Sequence, residues 1–216
     1  MKKPNSVFPM LLLCLGSACE TGGTRPSPVG SSNPSASTPA LPLAEQVRSL
    51  AITSAPGPRH AALALLEGEW KVALSSLSSE GAETDAFQGE ATLRSILGGR
   101  FLRWDASIDF GGASGKTTGF LGFDSRYGEY ALMMISDLSQ GMEIARGSGE
   151  LQGAGLVFTL DQVDPRSGAH VRSRSRLRLI DHDHFVLEQL EPGSDGADRV
   201  VRTWQYRRAG EPVHKT

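Results

Sequence analysis

Disulfides are the first thing this chain lacks. Its only two cysteines, Cys14 and Cys19, both fall in the first twenty of 216 residues. No framework of disulfides can therefore staple the remainder. Charge of one sign is also missing: 22 Lys+Arg against 24 Asp+Glu leave a formal net charge of −2. That balance gives no concentrated basic footprint, so nucleic acid is not expected as a partner. No apolar run reaches the roughly 18–20 residues of a membrane-spanning helix. Aromatic residues are only 6% of the chain. What remains is 39% hydrophobic residues and 25 glycines. That composition excludes wholesale disorder and suits a core threaded by many turns. At roughly 100–200 residues per domain, the length fits one domain with tails.

Lys2 and Lys3 precede an apolar run from Val7 to Leu15, and small residues follow. A charged start, a short apolar stretch and small residues read as a secretory signal, here residues 1–18. Leu15-Gly16-Ser17-Ala18-Cys19 resembles the lipobox of bacterial lipoproteins, departing from it in Gly16 where Leu is usual. The resemblance implies cleavage before Cys19 and acylation of that residue, making the membrane a partner through a lipid anchor. Each buried methylene adds about 0.8 kcal/mol to such anchoring, so two or more chains hold firmly. Acylation also removes a lone exposed thiol. Glu20 is not the aspartate that retains lipoproteins at the inner membrane, which favours the outer membrane.

Residues 20–43 hold 16 Gly, Pro, Ser or Thr in 24 positions. Such a stretch cannot bury enough apolar surface to offset its ordering entropy. Residues 19–58 are accordingly expected to be a disordered tether, with two possible helical turns from Leu43 to Leu50. The folded domain is expected over residues 59–208, with a flexible tail over 209–216.

His60 to Glu67 reads as a short helix of good helix formers, ended by Gly68. From Glu69 the period changes to two. Leu102, Trp104, Ala106, Ile108 and Phe110 alternate with Arg103, Asp105, Ser107 and Asp109, the pattern of a half-buried strand. About ten such runs follow one another, separated by Gly-, Asp- and Ser-rich turns. The expected fold is all-β: an antiparallel up-and-down barrel, preceded by one short helix. Closure would leave no exposed edge strand.

A short helix leading into Gly68-x-Trp70 at the first strand resembles the signature of calycins, the lipocalin-like barrels. The resemblance implies that Trp70 packs across a closed barrel end, against an arginine from the last strand. Arg207 is the expected partner and Arg202 the alternative. A wider pattern is His60-x-x-Leu63-x-x-Leu66-x-Gly68-x-Trp70, then Ile96-Leu97-Gly98-Gly99-Arg100-Phe101-Leu102, then Gly119-Phe120-Leu121-Gly122-Phe123-Asp124 and Tyr130. This order resembles a bacterial family of unknown function, DUF1579, from Arg59 to about Arg208. The chain departs from it at Met134-Ile135-Ser136-Asp137, where that family has a bulky aromatic before a paired Asp and Ser. The resemblance implies a barrel and brings no catalytic residue.

Motifs for chemistry are few. In Asp181-His182-Asp183-His184, extended neighbours point to opposite faces, so at most two ligands share a side. It reads as a polar hairpin turn, and no metal or cofactor is expected. Ser114-Gly115-Lys116-Thr117 lacks the glycine that a phosphate loop needs five residues before Gly115, where Phe110 stands. No Gly-x-Ser-x-Gly elbow occurs in the domain, and no catalytic residue is assigned. Arg172, Arg174, Arg176 and Arg178 share one strand face. They have either cross-strand partners such as Glu188, or an anionic headgroup or acidic protein as a ligand. Trp104, Met133, Met134, Phe158, Phe123 and His60 are the candidates for a cavity wall if the barrel is hollow. His60 otherwise braces the helix. Three functions follow: a barrel binding a small apolar or amphipathic ligand in the cell envelope, a filled barrel acting through its surface, or an enzyme at the barrel mouth using His60.

Overall fold

A computed structural model of the chain describes residues 42–53, 55–78, 82–139, 141–163, 168–193 and 196–210. The expected signal, Cys19 and most of the tether lie outside those residues, as does the tail from 211 onward. The chain divides into two units, with residues 15–55 in one and the barrel in the other. In the first, α1 (Leu43–Thr53) is an eleven-residue helix. It includes the expected turns from Leu43 to Leu50 and runs three residues further. Leu43, Val47 and Leu50 form an i, i+4, i+7 stripe on α1, and all three are exposed.

The barrel unit opens with α2 (Pro58–Leu63) and one 3₁₀ turn (Ala64–Leu66). Pro58 opens the helix, where its missing N–H is no loss. His60 Nδ1 accepts the Gly57 N–H at 3.0 Å and steadies the first turn. Ten strands follow: β1 (Gly68–Leu77), β2 (Glu83–Ile96), β3 (Phe101–Asp109), β4 (Ser114–Asp124), β5 (Glu129–Ser136), β6 (Met142–Glu150), β7 (Gly155–Val163), β8 (His170–Asp181), β9 (His184–Pro192) and β10 (Asp198–Arg208). Each pairs antiparallel with its sequence neighbour, and β1 pairs with β10. The result is a closed up-and-down barrel with a short helix before it. Among the described residues, no edge strand is left to template aggregation.

Period-two alternation decides what faces inward. On β3, Leu102, Trp104 and Ile108 are buried while Arg103 and Asp109 are exposed. On β1 the inward residues are Trp70, Val72 and Leu74. α2 packs against β3 and β4 and covers one barrel end. Leu63 and Leu66 are buried beneath it.

Trp70 sits at that end. Its indole N–H donates to the Leu66 carbonyl at 3.0 Å, tying the 3₁₀ turn to the first strand. The arginine across it is Arg208, not Arg207 or Arg202: the Arg208 guanidinium lies 4.4 Å from the Trp70 ring centroid. Register explains the difference. Trp70 is opposite Arg208, so the two share a face, whereas Arg207 is opposite Lys71 and exposed. Gly68 makes room for this contact. It holds a positive φ of 146°, and a Cβ there would strike the Arg208 guanidinium.

Candidate functional site

The barrel interior is filled at one end and holds a cavity toward the other. The filled end is a column of aromatic rings. Trp70 meets Phe185 edge-on at 4.6 Å, and Phe185 stacks on Tyr206 at 4.2 Å with the planes 6° apart. Trp104 then meets Tyr206 edge-on at 5.3 Å. Such pairs add about 0.5–1.5 kcal/mol each beyond area burial.

Past Trp104 and Tyr206 the stacked column ends, and a cavity of about 150 Å³ opens. Its wall comes from β3 through β10 and from the β5–β6 turn. Most of that wall is apolar: Ala106 and Ile108 on β3, Leu132 and Met134 on β5, Ala145 on β6, Leu160 on β7, Leu187 on β9 and Trp204 on β10. Small residues create the space. Gly119 on β4 is opposite Met134, and a Cβ there would collide with the Met134 sulfur, which lies over it. At the loop end, Phe110 and Leu138 fold over Gly115 and narrow the mouth.

Polar groups on this wall are sparse. The uncharged ones are Thr117, Ser136, Ser139, Ser173, Ser175 and Gln189, of which Ser173 and Gln189 are buried. Gln189 Oε1 accepts from Arg202 at 3.0 Å. Trp104 Nε1 is buried on the cavity floor, beside the Tyr206 phenol. Burial pushes the Tyr206 phenol well above its ordinary value, so it stays neutral. Two charged side chains reach the wall, Glu143 on β6 and Arg174 on β8. Arg174 is already committed, with Nη1 2.7 Å from both carboxylate oxygens of Asp198. Glu143 makes no ion pair or hydrogen bond among the described residues, and burial raises its pKa.

Of the six cavity candidates read from sequence, Trp104 and Met134 line the wall. The other four do not. Met133 faces outward, because Tyr130, Leu132 and Met134 take the inward positions on β5; its register neighbours are Phe120 and Ile144. Phe158 is inward and fully buried, but it fills core instead of walling the cavity. Phe123 and His60 meet edge-on at 5.7 Å, and Phe123 also packs on Tyr130 at 5.0 Å. With Nδ1 taken by Gly57, His60 braces the helix and stands outside the cavity, so the acid–base role has no substrate site beside it.

The arginine row on β8 has its carboxylates. Arg172 pairs with Asp161 at 2.7 Å, Arg174 with Asp198, and Arg176 and Arg178 share Glu188 at 2.7 and 3.1 Å. Burial alone would push the Glu188 carboxyl up, but the two guanidiniums outweigh it and hold it below the ordinary range. The 181–184 segment forms the β8–β9 turn, where Asp183 accepts from Arg208 and contacts His182.

Sequence reasoning missed Glu143, Leu132, Ala145, Leu160, Gln189 and Trp204 on the wall. Alternation on β5 and β7 was the signal for Leu132 and Leu160. For Glu143 the signal pointed the wrong way: its apolar neighbours Met142 and Ile144 look like inward residues, yet both are exposed.

Fold and cavity together define a calycin-like barrel with a small apolar interior site. Residues 55–208 match the family described as "Protein of unknown function (DUF1579)", and the chain belongs to that family. No curated protein matches this chain. Among solved structures it is similar to "Crystal Structure of Rv2717c from M. tuberculosis", with 16% identity and a TM-score of 0.50, covering 70% of this chain and 98% of that one. It is also similar to a de novo designed fluorescence-activating β-barrel, with 15% identity and a TM-score of 0.36, covering 66% of this chain and 92% of that one. At such identity, the likeness to Rv2717c is one of fold.

Proposed function

We propose that this barrel binds a small apolar or amphipathic ligand, and that Cys19 holds it to the cell envelope through lipid. The observation that carries the binding reading is the cavity of about 150 Å³. A mostly apolar cavity of that volume has room for a ligand the size of one benzene ring. Apolar walls with a few polar groups are the ordinary make-up of a ligand site. Among the described residues, the wall offers no nucleophile paired with a base, and Glu143 is its lone acid–base candidate. A carrier or sensor therefore fits better than an enzyme.

Ethylbenzene is the test probe, and tryptophan fluorescence is the readout, since Trp104 and Trp204 line the cavity. A saturable change is expected. At ten times its Kd the probe adds about 1.4 kcal/mol of stability, a Tm rise of a few degrees. Ala145→Leu, which fills the space, should abolish both effects. An absent or unsaturable response, or one that persists in the filled variant, would refute the reading.

A further inference from the structure

A part-buried carboxylate without a counter-ion on a mostly apolar wall is less well solvated than one in water, and a cation would complete it. Glu143 is such a group. It lies on β6 directly opposite Met134, and both face the cavity. It stands close to the β5–β6 turn, whose Leu138 and Ser139 also line the cavity, so the carboxylate sits toward the mouth. The other charged wall residue, Arg174, is held by Asp198 from β10 and is not free to neutralise it.

We propose that the cavity takes a small apolar amine: a hydrocarbon group of about one ring, carrying an ammonium that pairs with Glu143. This deepens the ligand-binding reading and rests on it. The geometry divides the ligand in two. The hydrocarbon fills the space between Leu132, Leu160 and Trp104, and the ammonium stays toward the mouth at Glu143. The elevated pKa of the carboxyl is consistent with a charge awaiting its partner. An ammonium brought to within about 4 Å would reverse that shift. An anionic ligand is disfavoured on the same grounds, because the one wall cation among the described residues already carries Asp198.

Three probes of similar size separate the possibilities on the full chain: benzylamine, its uncharged isostere ethylbenzene, and benzoate. Each is titrated by tryptophan fluorescence near pH 7.5 against the natural protein and Glu143→Gln. Benzylamine is expected to bind the natural protein at least tenfold more tightly than the variant. Ethylbenzene is expected to bind both alike, which also shows that the variant's cavity is intact. If ethylbenzene binds but benzylamine is indifferent to Glu143→Gln, or if benzoate binds more tightly than benzylamine, the amine proposal falls and the apolar site stands. If no probe binds, the amine proposal falls together with the ligand-binding reading.

Discussion

The Arg208 guanidinium lies over the Trp70 ring and donates to the Glu67 carbonyl at 2.8 Å and the His182 carbonyl at 2.9 Å. Its Nε also donates to Asp183 Oδ1 at 3.0 Å. One side chain therefore links the start of β1, the β8–β9 turn and the end of β10. Charged hydrogen bonds contribute about 1.5–3 kcal/mol where they are shielded, and a cation over an indole adds about 0.5–2 kcal/mol. Part of Arg208 is exposed, which reduces both. Arg208→Ala is expected to lower stability by about 2–3 kcal/mol in a urea melt. Arg207→Ala, one residue away and facing solvent, is expected to stay within about 0.5 kcal/mol. Equal effects at the two positions would contradict the assignment of the barrel-end arginine. The resemblance to calycins already implied that an arginine near the C-terminus meets Trp70. Choosing between neighbours needed the β1–β10 register, and register is a property of two distant strands.

At the scale of the strand, alternation worked where one face was wholly apolar and failed where it was not. β3 reads correctly because Leu102, Trp104 and Ile108 all turn inward. β6 reads wrongly. Its inward positions are Glu143, Ala145 and Gly147, while Met142 and Ile144 point out. At Gly147 the reason is volume: Phe158 from β7 lies against it, and a Cβ there would meet that ring. That contact fixes Gly147, while Glu143 and Ala145 face the cavity, so hydrophobicity does not mark the inward face of β6. β8 is a third case, in which four outward arginines would repel one another without partners. β7, β9 and β10 supply Asp161, Glu188 and Asp198, three carboxylates for four guanidiniums. Glu188 is the pivot, because it is buried and serves two of the four. Glu188→Gln is expected to cost about 1–2 kcal/mol at pH 7, after discounting the part-exposed arginines for solvent screening. The sign with pH follows from the lowered carboxyl. Its stabilisation is complete above the ordinary value of 4.5 and is lost as the pH falls through the lower folded value. Urea melts of the natural protein and the variant should therefore differ at pH 7 and converge as the pH falls below 4.5. A gap that holds constant across that range would mean that the carboxylate charge is not what stabilises the row.

For the molecule as a whole, closure separates the barrel from what precedes it. Every strand has two paired neighbours, and the last is paired with the first. Among the described residues, the strand ladder of the barrel therefore closes on itself. Neither cysteine falls within the ten strands, so neither can hold the barrel together. The proposed anchor at Cys19 and the fold should then be independent. Expressed with residues 1–18 in a bacterial host, the natural protein is expected to partition into the detergent phase of a Triton X-114 extract. Cys19→Ser should move it to the aqueous phase or leave it uncleaved, with the Tm unchanged. Partitioning that is unaffected by Cys19→Ser would remove the lipid anchor. A Tm that falls with it would mean that the segment before residue 56 supports the barrel after all, against what closure of β1 on β10 requires.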